Sequence, residues 1–124
     1  MKITFRVALL TFVGGALGTF FRWWLGTVID PNLYAVAFVN LIGAFAIGFF
    51  NGHRYFHTDA RRAFFAVGFC GGFTTLSSMM LGFLDGTTVL FVILETLAGV
   101  GVYLLGRLTG DASSVESSAE ADLA

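Results

Sequence analysis

The sequence is poor in charged residues and contains a single cysteine. Only 12% of its 124 residues are charged, whereas 56% are hydrophobic. A soluble domain needs a charged surface, so a chain with this balance is expected to lie in a lipid bilayer. The net charge of −1 gives no reason to expect nucleic acid as a partner. The lone cysteine, Cys70, excludes a disulfide framework or a zinc site built from cysteines within the chain.

Patterns typical of catalysis are also missing. The sequence holds no nucleophile–base pair, no phosphate-binding loop and no metal-hydrolase motif. His53 and His57 are four residues apart, but further ligands are lacking nearby, and a solvated loop is the better interpretation. The chain is therefore predicted not to be an enzyme.

Long apolar runs are abundant. Four of them reach the roughly 20 residues that a spanning helix needs. A signal peptide is rejected for the first run, because it continues past Arg22 without a clean cleavage site. The prediction is an all-α integral membrane domain over residues 1–109, followed by a disordered acidic tail over 110–124 that is rich in Ser, Ala and Glu. The four predicted helices cover about 5–28, 33–52, 63–84 and 87–107.

The basic residues are distributed unevenly. With four spans, both termini and the middle loop share one side, and the opposite side holds at most Arg22. By the positive-inside rule, both termini of this multi-pass protein are predicted to face the cytoplasm from the cell membrane. The shared side carries Lys2, Arg6, Arg54, Arg61, Arg62 and Arg107.

Small residues recur at a spacing of four. Such ladders allow helix backbones to approach closely in a membrane. Four short helices cannot enclose a wide pore, so a homo- or hetero-oligomer is expected. The ladders are Gly14 and Gly18; Ala44, Gly48 and Gly52; and Gly68 and Gly72.

The third run contains glycines, β-branched threonines and serines in its middle, a combination that weakens a helix at bilayer depth. One interpretation is a broken helix, whose freed carbonyls suit a hard cation such as Na⁺ and whose freed N–H groups and hydroxyls suit a small anion. The other is an intact helix with a polar packing face. The residues concerned are Gly71, Gly72, Thr74, Thr75, Ser77 and Ser78.

Three polar side chains interrupt the apolar runs, and each has more than one interpretation. Asn40 offers two N–H donors, either to an anion or to an interhelical hydrogen bond. Arg22 lies in an aromatic cluster. Its side chain either extends to the membrane–water interface or attracts anions to the entrance of a pore. Glu95 is an acid inside a helix, where such residues are rare and usually functional. It is interpreted as a protonatable site, as a partner for Arg22 or as a polar group lining a water-filled path. Its sign suits an anion pathway only if it is protonated or paired.

Three segments together resemble the signatures of the CrcB/Fluc family of fluoride channels. The first reads GG-x-x-G-x-x-x-R and ends at Arg22, the second reads N-x-x-G-x-x-x-x-G and begins at Asn40, and the third reads G-F-x-G-G-x-T-T-x-S and begins at Gly68. The resemblance implies an antiparallel dimer with two narrow fluoride pores at its interface. It also implies a structural Na⁺ at the dimer centre, held by the backbone carbonyls of Gly71 and Thr74. The implied pore residues are Arg22, Asn40, Thr75, Ser77 and Ser78.

The chain departs from the family pattern along the implied ion path. Leu76 and Met79 occupy the positions of two pore phenylalanines, whose ring edges would face fluoride. Gly82 occupies the position of a frequent acidic residue, and Phe91 aligns with a usual tyrosine. Glu95 aligns with a usual serine and completes the predicted pore set.

An antiparallel homodimer requires a chain that inserts in both orientations, which conflicts with the strong bias in Lys and Arg. The hypothesis is that this chain pairs in the lipid bilayer with an oppositely oriented paralogue that supplies the missing phenylalanines. Two alternatives remain: a non-conducting assembly subunit, and a small proton-coupled multidrug transporter that uses Glu95.

Overall fold

The computed structural model describes residues 2–29, 33–75 and 88–123, which form helices and short connections. Helix α1 is Phe5–Val28, α2 is Leu33–Gly52 and α4 is Thr88–Leu123. Helix α3 denotes the continuous run of Asp59–Arg61, Arg62–Phe69 and Cys70–Phe73, preceded by a 3-10 turn at Arg54–His57. The predicted site positions Leu76, Ser77, Ser78 and Met79 lie outside the described residues.

The helices have the length and composition of membrane spans. Three of the described helices are long and apolar enough to cross a bilayer: Phe5–Val28, Tyr34–Gly52 and Val89–Leu123. Large apolar side chains such as Phe12 and Trp23 are exposed on their outer faces, where lipid takes the place of water. The prediction of an all-helical membrane domain is confirmed for the described part of the chain. The second half of the predicted third span falls in the undescribed residues 76–87.

Glycines join the helices in two pairs. In the α1–α3 pair, a Cβ atom at Gly14 or Gly18 would overlap a backbone carbonyl oxygen of α3. In the α2–α4 pair, glycines of each helix lie equally close to backbone carbonyl oxygens of the other helix. The predicted role of the glycine ladders in close packing is therefore confirmed. The glycines at these contacts are Gly14, Gly18, Gly68 and Gly72 in the first pair, and Gly48, Gly52, Gly106 and Gly110 in the second.

The two pairs run in opposite directions. Within each pair the helices are parallel, as Gly48 and Gly52 meet Tyr103 and Arg107 in the same order. Helix α3 is antiparallel to α2, because Asn40 contacts Thr75 near the end of α3, whereas the ring of Phe50 meets Phe65 near its start. The six basic residues assigned to one side by the sequence therefore lie at one end of the bundle.

Helix α3 departs from regular α geometry along its middle. Thr58 caps its start by accepting a hydrogen bond from the Arg61 N–H at 3.4 Å. Over Arg62–Phe69 the helix is π-helical, and the Cys70 N–H bonds the carbonyl of Phe65, five residues earlier. π-Helical segments are rare and are frequently found at functional sites. The segment leads directly to the point where α3 ends.

The predicted disordered tail is wrong for residues 110–123, because α4 continues as one helix to Leu123. Its 36 residues rise about 54 Å at ~1.5 Å per residue, well beyond the hydrocarbon core of about 30 Å. Ser114 is only 4% exposed, and its hydroxyl accepts a hydrogen bond from the Arg54 N–H at 3.4 Å. The low hydrophobicity of the segment correctly indicated that little of it is buried beyond Ser114. The segment is nevertheless helical, because extending an existing helix needs no new nucleus.

Candidate functional site

The site forms where α3 ends. The helix stops at Phe73, and Thr74 has extended backbone dihedrals, with φ −80° and ψ 151°. A broken helix at this point was one of the two interpretations of the sequence. The end of a helix leaves backbone N–H and C=O groups without helical partners. At bilayer depth these groups must find hydrogen-bond partners elsewhere. Side chains from the neighbouring helices supply those partners.

Asn40 of α2 holds the extended segment at two points. Its Oδ1 accepts a hydrogen bond from the Thr75 N–H at 2.8 Å, and its Nδ2 donates to the Thr75 carbonyl at 3.0 Å. One carboxamide thus replaces, for Thr75, the two backbone bonds that a continuing helix would provide. Of the two interpretations of Asn40, the interhelical hydrogen bond is the one observed in the single chain.

Two side chains of α1 bind carbonyls near the same break. Arg22 donates from Nη1 to the Thr74 carbonyl at 3.3 Å, and Thr19 donates from Oγ1 to the Gly72 carbonyl at 3.4 Å. The sequence singled out Arg22 but did not predict this contact, and it missed Thr19. The only signal for Thr19 was a hydroxyl three residues before Arg22, a spacing that places both on one helical face.

Gly71 presents an available backbone oxygen. In a continuing helix its carbonyl would accept from the Thr75 N–H, which instead donates to Asn40. Gly71 is exposed, and a Cβ atom added there would meet nothing within 4 Å. In the described part of the chain, no cluster of three His, Cys, Asp or Glu side chains is arranged to hold a metal ion.

Glu95 of α4 reaches the break from the opposite side to Arg22. Its side chain is only 9% exposed, and its Oε1 accepts a long hydrogen bond of 3.4 Å from Asn40 Nδ2. Its other oxygen, Oε2, is buried and has no hydrogen-bond partner among the described residues. Buried carboxylate oxygens are rarely left in this state, which marks Glu95 as a functional candidate.

Two cavities meet at Thr75. The larger, of about 620 Å³, is a groove between α2, α3 and α4, and we call it the Glu95 groove. The smaller, of about 470 Å³, lies between α1 and α2 and includes Arg22. Thr75 lines both, so the clamped segment separates two recesses. The polar residues of the Glu95 groove are Asn40, Asn51, Arg62, Thr74, Thr75, Glu95 and Thr96.

The predicted site residues that the structure describes therefore come together. Arg22, Asn40 and Glu95 lie on three different helices. Arg22 and Asn40 bind the backbone just beyond the end of α3, and Glu95 joins them through its hydrogen bond with Asn40. The two histidines do not join them. The His57 ring instead contacts the Asn51 carbonyl at 3.0 Å in the connection between α2 and α3.

The fold and the site define a helical membrane protein with a polar centre at the end of a helix. A family model described as "CrcB-like protein, Camphor Resistance (CrcB)" matches residues 9–110. The chain belongs to this CrcB family, as its three sequence signatures indicated.

Individual relatives agree with the family match. A "Fluoride-specific ion channel FluC" of Gluconobacter oxydans is 32% identical over 88% of this chain and 88% of its own length. Proteins with the same name from Gloeobacter violaceus and Pectobacterium carotovorum are 37% and 34% identical, over 85% and 86% of this chain. These names describe ion channels and not enzymes, in agreement with the prediction that the chain has no catalytic activity.

Proposed function

We propose that this chain is a subunit of a passive, fluoride-selective channel that lets toxic fluoride leave the cytoplasm through the cell membrane. The observation that carries the proposal is the convergence of Arg22, Asn40 and the end of α3 at one polar centre. The names of the relatives, which are fluoride-specific ion channels, point to fluoride as the ion. No step that uses energy is required, since a passive pore needs only a path and a concentration gradient.

The chemistry of the centre suits a small anion. A pore for a strongly hydrated anion must replace its water with N–H and O–H donors. The guanidinium of Arg22 provides a fixed positive charge that attracts anions toward the centre. Asn40 and the backbone it holds provide a rigid polar surface beside Thr75, so the donors need little reorganisation when an ion arrives.

We further propose that the partner is a paralogue of opposite orientation. Six of the seven basic residues lie at one end of the bundle, and this bias favours a single orientation, with both termini in the cytoplasm. A second copy with the same bias would resist insertion in the opposite direction. The partner would then supply the aromatic edges that Leu76 and Met79 do not offer.

The same proposal includes a structural Na⁺ between the two subunits. The carbonyls of Gly71 and Thr74 would hold it, since neutral backbone oxygens suit a hard cation. Gly71 fits, because its carbonyl has lost its helical partner and the residue is exposed. Thr74 would share its oxygen, which already accepts the hydrogen bond from Arg22. The ion would hold the α3 ends of the two subunits against each other.

The first test is fluoride efflux from liposomes, read with a fluoride electrode. We expect the chain reconstituted together with its paralogue to release fluoride rapidly while retaining chloride, and the chain alone to release little. Rapid efflux from the chain alone would contradict the required paralogue but support the channel. A paralogue that conducts equally well without this chain would indicate a non-conducting assembly subunit, and absence of efflux from every combination would contradict the channel.

Removal of Na⁺ gives a separate prediction. Replacing Na⁺ with the larger N-methylglucamine cation on both sides of the membrane should slow fluoride efflux and favour separated subunits, because carbonyls facing each other across the interface would lose their shared cation. Size-exclusion chromatography and efflux report the two effects. Replacement with no change in either measurement would argue against the Na⁺ site.

A further inference from the structure

We propose that Glu95 works as a neutral carboxylic acid that donates a hydrogen bond from Oε2 to the anion in the Glu95 groove. Fluoride and a proton would then bind this site together. The inference rests on the proposed channel function and assigns a specific role to a residue that departs from the family pattern.

The surroundings of Glu95 do not support an ionised carboxylate. Between residues 34 and 52, α2 carries no charged side chain and provides only the Asn40 amide, and between 88 and 106 Glu95 is the only charged residue of α4. On α3 the titratable groups lining the groove are Arg62 and Cys70. Arg62 lies eleven residues before the end of α3 at Phe73, which is about 16 Å along the helix axis at ~1.5 Å per residue. Glu95 instead bonds Asn40, which holds the chain just beyond that end.

The remaining cation near the break is already engaged. Arg22 of α1 binds the Thr74 carbonyl and lines the other cavity. A carboxylate charge at this depth, supported by one 3.4 Å amide hydrogen bond, would be strongly disfavoured. The neutral acid avoids that cost. Because Oε1 is the oxygen that accepts from Asn40, the proton is placed on Oε2, which has no partner among the described residues.

A proton on Oε2 requires an acceptor, and an anion in the groove provides one. Hydrogen bonds from an O–H group to an anion are about twice as strong as those between neutral groups. Fluoride, as a small anion with concentrated charge, accepts such a bond more strongly than chloride. The same residue in its ionised form would repel any anion, so a single proton changes the site from attractive to repulsive.

This coupling has a definite sign. Because proton and anion favour each other at the site, each must increase the affinity for the other by the same factor. Fluoride efflux through this chain's path should be fastest at acidic pH and fall as the pH rises and Glu95 ionises. The variant Glu95→Gln keeps a neutral donor and removes the titration, whereas Glu95→Leu removes the donor altogether.

The test measures fluoride efflux over a pH series for the subunit combination that conducts. Efflux from protein-free liposomes is subtracted at each pH, because hydrogen fluoride itself crosses lipid. We expect wild-type efflux to fall about tenfold between the acidic and alkaline ends, within the range typical of coupled sites. Glu95→Gln should be fast and independent of pH, and Glu95→Leu slow throughout. Thr109→Val is the matched control, since its exposed hydroxyl bonds only the Leu105 carbonyl of its own helix.

A second measurement does not depend on conduction. At an alkaline pH where part of Glu95 is ionised, lightly buffered, purified protein should take up protons when fluoride is added. Addition of chloride should cause no uptake, and neither should addition of fluoride to the Glu95→Gln variant. Proton uptake without efflux would support the Glu95 site and contradict the channel function. Efflux that shows neither pH dependence nor proton uptake would overturn the inference. Loss of the partner subunit in the Glu95→Gln variant would also overturn it, because it would indicate that Glu95 is an ionised carboxylate paired with a cation of the partner.

Discussion

The variant Gly18→Ala is expected to lose most of the stability of the α1–α3 pair. Its new methyl group would overlap the carbonyl oxygen of Phe69, a backbone atom that no side-chain rotation can move away. The two helices would have to separate along their length. Overpacking of this kind typically costs 1–3 kcal/mol, and with backbone as the obstacle we expect about 3 kcal/mol.

Gly26→Ala is the matched control, because Gly26 lies on the same helix and a Cβ atom there would meet nothing within 4 Å. In a helix, glycine is about 1 kcal/mol less favourable than alanine, so this variant should be neutral or slightly stabilised. The midpoint of thermal unfolding in detergent, followed by size-exclusion chromatography, compares the two. Equal midpoints would show that Gly18 does not lie at a close helix contact.

The change at Gly18 should also affect function. Arg22 lies one helical turn further along α1, and its hydrogen bond to the Thr74 carbonyl is 3.3 Å long. A shift of about 1 Å between the helices would lengthen that distance to about 4 Å, which is beyond hydrogen-bonding range. Fluoride efflux should therefore be lost together with stability.

The glycine ladders were predictable because close approach of helices demands small residues at a fixed spacing. Their partners were harder to predict. A second ladder, Gly106 and Gly110 of α4, packs against the α2 backbone at the same helix contact that Gly48 and Gly52 make from the other side. This ladder was missed because Arg107 stands between its two members and marked the expected end of the membrane span.

The error in the tail has a different physical cause. Composition reports whether a segment can bury apolar surface, and residues 110–124 cannot bury much. Helix formation, however, also depends on what precedes the segment. Because α4 is already formed at Gly110, each further residue adds a hydrogen bond without the cost of nucleation, and alanine and glutamate accept helical geometry readily.

Residue types in the site were predictable, but their contacts were not. Arg22, Asn40 and Glu95 were recognisable because polar groups are costly in a bilayer and seldom occur there without a role. Which backbone group each one meets depends on how far α1, α2 and α4 are shifted along α3, a register that no local pattern encodes. Thr19 illustrates the limit, since a threonine in an apolar helix usually bonds its own backbone.

Asn40→Leu is expected to have the largest effect on function. Leucine has the same number and branching of side-chain heavy atoms as asparagine, but it would leave both the N–H and the carbonyl of Thr75 without their present partner at bilayer depth. Each unsatisfied backbone group costs about 1–3 kcal/mol, so the two together imply about 2–6 kcal/mol. The extended segment would move to recover these bonds, and the polar centre would lose its shape.

Asn51→Leu provides the comparison on the same helix. It lies eleven residues further along α2, close to three full turns, so both asparagines face the same groove. Its only described side-chain hydrogen bond, from Nδ2 to the Tyr103 hydroxyl at 3.4 Å, involves no backbone group. We therefore expect a loss of about 1 kcal/mol in stability for Asn51→Leu and partial retention of efflux.

Fluoride efflux and the thermal unfolding midpoint, measured for both leucine variants, separate two roles for Asn40. A clamp that shapes the segment predicts that Asn40→Leu loses stability and efflux together. A direct ligand of the anion predicts loss of efflux at unchanged stability, which would contradict the clamp. Asn40→Asp sharpens the comparison, because it keeps the acceptor for the Thr75 N–H but removes the donor to the Thr75 carbonyl and faces Glu95. If the clamp needs both bonds, Asn40→Asp should resemble Asn40→Leu in both measurements.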